Sequence, residues 1–327
     1  MDAQIVETVE LAAAETIYSP GILSLPDESA RATGTMTHTT LDAIRGLERE
    51  GDFPHGATLA RQVRSAILAD GCVYASTSYQ IVTPKVPRRK VLPRRVAHYD
   101  EAQLCSDMPS EMYFGHWLLD SLCTERLALE RGLSGLVFDG APSTHKQAYR
   151  SICAVTPTRV ACAVVDRLWM IDDRGLNSAR MARWSGLRAA VRAVAGATSA
   201  PRLVYLARSA GATGRSLTNA DEVERAFDRI GFVTIDPMAF DTHRLAAILH
   251  QAEMVVSVEG SHQSHALMAM PAGGTLLTIQ PADRFLHSYL FFANAAGIRS
   301  AFVVADRQGD GYHVSVERLQ QTIDLVA

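Results

Sequence analysis

Short apolar runs alternate with amphipathic stretches over the C-terminal part of the chain. Residues 202–208, 254–258 and 274–281 are apolar, whereas residues 219–231 repeat their apolar positions with helical spacing. Apolar strands that alternate with amphipathic helices are typical of a parallel sheet covered on both faces. The pattern predicts a Rossmann-like domain, whose further elements are, in chain order, 232–236, 239–252, 261–270, 285–297, 301–304 and 314–326.

The N-terminal part of the chain is less regular but mixes the same two patterns. Its apolar runs predict strands, and its apolar positions at helical spacing predict helices. The predicted strands are 72–83, 135–139 and 159–166, and the predicted helices are 113–131 and 177–196. Small residues at 196–201 suit a linker. We therefore predict an α/β fold in two domains, residues 1–198 and 199–327.

The bulk composition is typical of a globular protein with a large core. The chain has 327 residues, of which 47% are hydrophobic and 20% are charged, and its formal net charge is −3. A charge this small does not indicate general binding to nucleic acid or to a membrane surface. No apolar run reaches the ~18–20 residues that a membrane span needs.

The N-terminus and the cysteines bear on the compartment. The first sixteen residues are acidic and helical in character, with no basic region before an apolar core, so no secretory signal is predicted. The five cysteines are scattered and form no CxxC pair. In a chain of this length we expect free, buried thiols in a reducing compartment, and we predict a cytoplasmic protein.

A histidine, a tryptophan and an aspartate stand close together in the apolar helix predicted at 113–131. His116 and Asp120 are four residues apart, which places them on one helix face, roughly 40° from each other. An Asp in hydrogen-bond reach of a His fixes its tautomer and raises its basicity, or is itself a general base. Structural hydrogen bonds explain the pair equally well, and core packing explains Trp117.

Two arginines flank a glycine-containing loop after the predicted strand 202–208. Arg208 stands at the strand end, and Arg215 precedes the helix that begins near Asn219. A guanidinium presents a planar set of donors that fits phosphate oxygens, and a helix N-terminus adds backbone donors. The loop is therefore a candidate diphosphate clamp, with a solvated surface loop as the alternative. Asn219 and Glu222 also fit a capping box, which needs no ligand.

A second candidate loop, residues 258–265, leaves the next predicted strand. Gly260 allows a ligand to approach the backbone closely, and the amides of Ser261 and His262 would face an anion. Glu259 is a candidate acceptor for a ribose or sugar hydroxyl. The loop therefore adds to the predicted anion-binding edge.

Other binding chemistries are not indicated by the motifs. His262 and His265 have no evident third ligand, so we predict no metal site. No GxGxxG follows a strand, which weakens a nicotinamide cofactor, and no GxxxxGK[ST] P-loop is present. The stretch 84–95, with six basic residues and three prolines, is either a solvated loop or an anion-attracting lip beside the active site.

The order of these motifs resembles the catalytic domain of glycosyltransferase family 61. The resemblance is carried by YFGHWLLD at 113–120, by YLAR at 205–208 with GR at 214–215, and by AEMVVSVEGSHQSH at 252–265. The HWLLD element and the paired arginines are specific in combination, and the likeness extends over about residues 113–297. Glu259 and Gly260 stand where many members of the family have a histidine and a glycine.

The resemblance implies a GT-B-like arrangement of two Rossmann-like domains with a donor cleft between them. It implies inverting, metal-independent transfer of a sugar from a nucleotide-sugar donor to an acceptor hydroxyl, with a UDP-sugar favoured and no cofactor. The acceptor-side domain would be 1–198 and the donor-binding domain 199–327. The residues carried over are His116 and Asp120 as the catalytic pair, Trp117 on the acceptor side, and Arg208, Arg215, Asn219, Glu259, Gly260, Ser261 and His262 at the donor.

Several assignments stay open at this stage. We favour Asp120 as the base with His116 as its partner, and the reverse is possible. The expected pathway is biosynthesis of a surface polysaccharide or a glycoside. A non-catalytic nucleotide-sugar-binding member and an unrelated nicotinamide-dependent enzyme are the alternatives. The donor sugar, the nucleotide base, the acceptor and the oligomeric state do not follow from the sequence.

Overall fold

The computed structural model is a mixed α/β structure that divides into two compact units. It describes residues 4–36, 39–76, 78–83, 96–138, 140, 142–196, 199–208 and 214–327. The first unit contains Met1–Ile17 and Pro54–Leu187, and the second contains Tyr18–Phe53 and Arg188–Ala327. The basic stretch 84–95, for which a lip beside the active site was one prediction, lies outside the described residues.

The first unit is built around one mixed sheet. Its strands are joined by hydrogen bonds in the order β6-β5-β4-β10-β7-β8-β9, with β1 also paired to β4. Strands β2 and β3, in which the chain passes from one unit to the other, pair in a separate sheet. The strands are β1 Ile5–Ala12, β2 Glu15–Ser19, β3 Gly51–His55, β4 Thr58–Ala69, β5 Cys72–Ala75, β6 Ser78–Ile81, β7 Ala97–Leu104, β8 Ser134–Phe138, β9 Thr158–Val160 and β10 Cys162–Asp172.

Parallel pairing in this sheet is confined to one side. Strands β10, β7, β8 and β9 pair in parallel, whereas β4, β5 and β6 pair antiparallel. The carboxyl ends of the parallel strands therefore share one edge, where ligands of α/β sheets usually bind. The helices are α1 Leu41–Arg45, α2 Met108–Met112, α3 Phe114–His116, α4 Leu122–Glu130, α5 Thr144–Ile152 and α6 Ser178–Ala193, of which α1 belongs to the second unit and α6 begins in the first unit and ends in the second.

Three predictions for the N-terminal part are wrong. Residues 5–12, expected as helix, form strand β1, which pairs antiparallel with β4. The β-branched side chains of this stretch fit a strand, and pairing with β4 outweighs its helical character. The single strand expected at 72–83 is a hairpin of β5 and β6. The single strand expected at 159–166 is two strands, because β9 pairs with β8 at the edge of the sheet whereas β10 pairs with β4 and β7 in its middle.

The second unit contains the predicted parallel sheet. Its strand order is β12-β11-β13-β14-β15-β16, and every pairing is parallel except that of β15 with β16. The strands are β11 Leu203–Leu206, β12 Val233–Ile235, β13 Met254–Val258, β14 Thr275–Pro281, β15 Arg299–Gln308 and β16 Gly311–His313. The helices are α7 Ala220–Arg229, α8 Thr242–Leu249, α9 Gln263–Ala269, α10 Leu290–Ala295 and α11 Val316–Val326.

The strand order of this sheet reverses between β11 and β13. Strand β12 lies on one side of β11, and β13, β14 and β15 follow on the other side. In an open parallel sheet, such a reversal leaves a crevice at the carboxyl ends of the two central strands, and ligands bind there. The fold therefore marks the ends of β11 and β13 as the binding edge.

Residues 18–53 belong to the second unit rather than to the N-terminal one. Leu23 forms a bridge with Ala301, and Ile44 packs in an apolar cluster with Phe285 and Phe302. These contacts join positions far apart in the chain. The division therefore differs from a single boundary between residues 198 and 199, and the roles predicted for the two domains stay predictions.

None of the helices that the described residues form has the length and apolarity to cross a membrane. All five cysteines are buried and free, as expected from their scatter in the sequence.

Candidate functional site

The HWLLD segment lies on a helix that is interrupted and locally widened. Helix α3 ends at His116, and Trp117–Ser121 form a π-helical turn before α4 begins. The Leu122 amide donates to the carbonyl of Trp117, five residues earlier. Single π turns inside α-helices are frequent at functional sites. The helix predicted at 113–131 is therefore present, with its irregular turn at the chemically unusual residues.

His116 and Asp120 form the contact that their spacing suggested. The Nδ1 atom of His116 lies 2.8 Å from Oδ2 of Asp120, and the two side chains are 52% and 31% exposed. The hydrogen bond to Asp120 raises the pKa of His116. Burial works to raise the pKa of Asp120, but the His116 hydrogen bond and the charge of Arg180 outweigh it and lower that pKa. The pair is an ionised carboxylate that supports a more basic imidazole.

Arg180 is the partner that the aspartate requires. Its guanidinium is 2% exposed and donates to Oδ1 of Asp120 and to the carbonyls of Leu119 and Asp173. A buried charge is tolerated only when it is paired and hydrogen-bonded. Asp173 in turn pairs with Arg183 at 2.8 Å. Sequence reasoning missed Arg180 because no spacing rule links α6 to the HWLLD segment.

Trp117 is a core residue whose polar atom is used internally. The side chain is 1% exposed, and its Nε1 donates to Glu125 at 3.2 Å. Arg150 also donates to Glu125, and the Arg150 and Lys146 cations lie 5.4 and 5.1 Å from the Trp117 ring. The ring therefore supports two cations and has no open face on which a sugar could stack. Its predicted role on the acceptor side stays a prediction.

The second cluster lies at the carboxyl ends of β11 and β13, in the second unit. Arg208 follows β11 by two residues, and Glu259 and Gly260 directly follow β13. A Cβ on residue 260 would lie 2.7 Å from Nη1 of Arg208 and 3.1 Å from Nδ1 of His262. Glycine at this position is therefore what allows the Arg208 guanidinium to pass over the loop.

The arginines of this cluster outnumber its carboxylates. Arg215 pairs with Glu259, and both side chains are largely buried. Burial and the charges of Arg215 and Arg284 lower the pKa of Arg208. Three guanidinium charges against the carboxylates of Glu259 and of Asp236, whose charge acts on His262, leave one formal positive charge. An anion at this edge would relieve the mutual repulsion of the arginines.

Arg284 is the member of the cluster that sequence reasoning missed. It ends the 3-10 turn Ala282–Arg284, which follows β14 at the same carboxyl edge. Its Nη1 lies 3.9 Å from the position that a Cβ on Gly214, the residue before Arg215, would take. The sequence predicted that a strand ends near residue 281. Nothing in the sequence, however, distinguished Arg284 from an arginine exposed to solvent.

His262 is held neutral at the start of α9. Burial, together with the charges of Arg208 and Arg215, lowers its pKa to about 3. Its Nε2 lies 2.6 Å from the Ser257 hydroxyl. Ser261 lies beside it in the same turn, and its carbonyl accepts from the Ser264 hydroxyl. His262 therefore adds a hydrogen-bonding group to the cluster and no charge.

Asn219 has a structural function. Its side-chain amide donates to the carbonyl of Val314 at 2.9 Å and to Glu222 at 3.1 Å, and its oxygen accepts from the Val314 amide. It stands at the N-terminus of α7 but its side chain caps none of the helix amides. The predicted capping box is wrong, because the β16–α11 connection engages the side chain instead.

Metal-binding geometry occurs at another place. Within the described ranges, His98, Asp100 and Asp166 are close enough to share an ion, and all three are exposed. His98 and Asp100 lie near the amino end of β7, whereas the HWLLD helix follows its carboxyl end. The group is therefore at the opposite edge of the sheet, and the absence of a metal from the reaction stays a prediction.

The fold and the two clusters define an α/β protein with two features. A positively charged cluster lies at a reversal of the strand order, and a His–Asp pair lies on a separate helix. The family model described as Glycosyltransferase 61 matches residues 114–277, about half of the chain. The chain belongs to glycosyltransferase family 61 and is a glycosyltransferase. The matched span contains every site residue predicted from the sequence. No curated protein matches the chain.

Proposed function

We propose that this glycosyltransferase moves a sugar from a nucleoside-diphosphate sugar, with UDP favoured, to an acceptor hydroxyl. The proposal rests mainly on the arginine cluster at the reversal between β11 and β13. Transfer leaves a diphosphate with growing negative charge, and fixed cations in a partly buried site stabilise that charge more strongly than water does. Arg208 and Arg284 contribute their full charge, whereas Arg215 is partly neutralised by Glu259.

Glu259 has two roles in this proposal. Without donor, its carboxylate holds Arg215 in place. With donor bound, the diphosphate competes for Arg215, and Glu259 becomes available to a ribose or sugar hydroxyl. His262, neutral over the physiological range, donates or accepts a hydrogen bond without altering the charge of the cluster.

The catalytic base is assigned from the contacts of the His–Asp pair. Both carboxylate oxygens of Asp120 are engaged, one by His116 and one by Arg180, and its pKa is lowered. His116 is half-exposed, its pKa is raised, and its Nε2 faces away from the Asp120 contact. These contacts favour His116 as the base and Asp120 as the residue that positions it, the assignment that the sequence left second.

The reaction then needs a single displacement. The acceptor hydroxyl gives its proton to His116 Nε2 and forms a bond to the anomeric carbon, and the bond to the diphosphate breaks with its electron pair on the diphosphate oxygen. Attack from the face opposite the leaving group inverts the anomeric configuration. No step requires a metal, because the arginines supply the positive charge.

The domain arrangement, the pathway and the compartment are part of the same proposal. A GT-B-like arrangement, with the donor between the two Rossmann-like domains, would let the first unit supply the base and the second hold the donor. Biosynthesis of a surface polysaccharide or a glycoside in the cytoplasm is the expected setting. Membership of family 61 decides against the nicotinamide-dependent alternative.

A transfer assay tests the proposal. The purified chain is incubated with UDP-, GDP- and TDP-sugars and an acceptor panel, with and without a chelator, and release of nucleoside diphosphate is followed. We expect release with one nucleotide class, equal rates with chelator, and a loss of at least about a hundredfold in His116→Gln, the lower range for a general base. Donor affinity should be unchanged in that variant. Metal dependence, or full activity of His116→Gln, would contradict the mechanism.

A further inference from the structure

Tyr113 is an exposed aromatic residue beside the proposed base. It is 45% exposed, whereas Trp117 of the same segment is 1% exposed. The ring centroids of Tyr113 and His116 lie 6.0 Å apart, with an angle of 54° between the ring planes. Residues three or four apart in a helix lie on one face, and His116 meets Asp120 on that face. The tyrosine, the imidazole and the carboxylate therefore form one line of side chains that begins at Tyr113.

The backbone of Tyr113 is fixed on both sides. The residue separates α2 from α3 in an extended conformation, with φ −126° and ψ 125°. Its amide donates to the carbonyl of Pro109 at 2.8 Å, and its carbonyl accepts from the amide of Trp117 at 3.1 Å. Helix α2 is itself capped by Asp107, whose carboxylate accepts from the amide of Ser110. The position from which the ring projects is therefore set before a ligand arrives, which lowers the entropic cost of binding.

The surroundings of the ring combine aromatic surface with a carboxylate. Helix α2 follows the carboxyl end of β7, at the edge of the parallel strands where ligands bind. Asp107 is exposed, and its charge helps to raise the pKa of His116, so its carboxylate lies near the imidazole. Binding sites for small molecules pair apolar and aromatic surface with a few polar groups. A pyranose ring matches this arrangement, because it has a face of C–H bonds and a rim of hydroxyl groups.

The neighbour of Tyr113 distinguishes it from other exposed apolar residues. Such residues are common on protein surfaces and need no ligand. Tyr113, however, contacts the half-exposed imidazole to which the acceptor hydroxyl is proposed to give its proton. An acceptor whose hydroxyl reaches His116 brings the neighbouring atoms of the same molecule to the tyrosine ring. In a sugar, those atoms are the C–H groups of the pyranose.

We propose that Tyr113 binds the acceptor, and that the acceptor is a sugar whose pyranose ring packs its C–H face on the tyrosine while one hydroxyl reaches His116. The identification of this ligand as the acceptor rests on the proposed function, whereas the pyranose rests on the exposed ring and its contact with the imidazole. Tyr113 is a specificity-determining residue. Its ring selects cyclic acceptors over acyclic alcohols and takes no part in proton transfer.

The test compares cyclic and acyclic probes on the full chain. Binding of methyl β-D-glucopyranoside, methyl β-D-galactopyranoside and D-glucitol is measured by saturation-transfer NMR in the presence of UDP, for the wild type, Tyr113→Ala and Tyr113→Phe. Tyr79→Ala is the matched control, because Tyr79 is a 62% exposed tyrosine of the same unit that stacks on Tyr74. UDP is also titrated calorimetrically into each protein as a separate measure of the donor site.

A second measurement distinguishes a binding surface from a support for the imidazole. The pKa of His116 is followed by NMR, with its signal assigned by its loss in His116→Gln. In Tyr113→Ala we expect this pKa to stay above the usual histidine value of ~6.5, because the hydrogen bond to Asp120 is kept. A fall to the usual value would mean that Tyr113 acts through the imidazole, and it would overturn the inference.

We expect at least one pyranoside to receive saturation on the C–H protons of one ring face, and D-glucitol to receive none. Tyr113→Ala should weaken pyranoside binding roughly three- to tenfold, which is the value of aromatic packing, with UDP affinity unchanged. Tyr113→Phe and Tyr79→Ala should bind as the wild type does. Binding of neither pyranoside, equal saturation of D-glucitol, unchanged binding in Tyr113→Ala or lost binding in Tyr113→Phe would overturn the inference. Absence of UDP binding by the wild type would instead overturn the proposed function.

Discussion

Replacing Asp120 by Asn removes the charge that faces Arg180 and keeps the volume of the side chain. Arg180 is 2% exposed, so its guanidinium cannot exchange the lost partner for water. Removing one partner of a buried ion pair costs about 3–5 kcal/mol. Arg180 keeps the carbonyls of Asp173 and Leu119 as acceptors. Because Asp120 itself is partly exposed, we expect the lower end of that range, about 3 kcal/mol of unfolding free energy.

The assay is equilibrium unfolding in urea, with the midpoint and the slope fitted for each variant. His116→Gln leaves the Arg180 contact in place, and because His116 is 52% exposed its loss should cost at most about 1 kcal/mol. Asp166→Asn is the matched control, since Asp166 and His98 form another His–Asp pair, 3.1 Å apart and exposed on both sides. It too should cost less than about 1 kcal/mol.

A loss for Asp120→Asn as small as that for Asp166→Asn would refute the reasoning, because Arg180 would then not depend on the carboxylate. The expected large loss has a consequence for activity measurements. Inactivity of Asp120→Asn would combine a weakened fold with a misplaced imidazole, so this variant cannot identify the base. His116→Gln, which leaves the buried pair intact, can.

Two further predictions concern pH and the glycine of the second loop. His116 must lose its proton to act as a base, and its pKa is raised by Asp120. The rate should therefore fall as the pH drops through a value above the usual histidine pKa of ~6.5. In Asp120→Asn, the residual activity should show the same fall at a lower pH. A fall at the same pH in both proteins would contradict the role of Asp120. Gly260→Ala should weaken UDP binding about tenfold, since the added Cβ would lie 2.7 Å from Arg208, and displacement of one charge-assisted hydrogen bond is worth that much. Gly186→Ala, where the added Cβ meets no atom within 4 Å, is its control in the same calorimetric titration.

The sequence predicted most of the second unit because that unit is regular. Strand β13 coincides with the apolar run 254–258, and each of the other predicted elements is present within a few residues. Continuous apolar strands of a covered parallel sheet leave little ambiguity in the pattern. The contact of His116 with Asp120 was equally predictable, because the spacing of residues within one helix determines which side chains meet.

The features that the sequence did not predict depend on contacts between distant segments. Strand β1 is a strand because β4 pairs with it, and residues 18–53 join the second unit through partners such as Ala301 and Phe302. Arg180 and Arg284 resemble ordinary surface arginines until the fold brings them to Asp120 and Arg208. No periodicity in the chain carries that information.

The central claim is that the arginines after β11 and β14 bind the diphosphate of the donor, and one titration tests it directly. UDP is titrated calorimetrically into the wild type, Arg208→Ala and Arg202→Ala. Arg202 immediately precedes β11 and pairs with Glu253 in solvent, at the opposite end of the strand that leads to Arg208. We predict a loss of roughly 10–150-fold in affinity for Arg208→Ala, the value of one charge-assisted hydrogen bond, and wild-type affinity for Arg202→Ala. Equal affinity in the two variants would contradict the account.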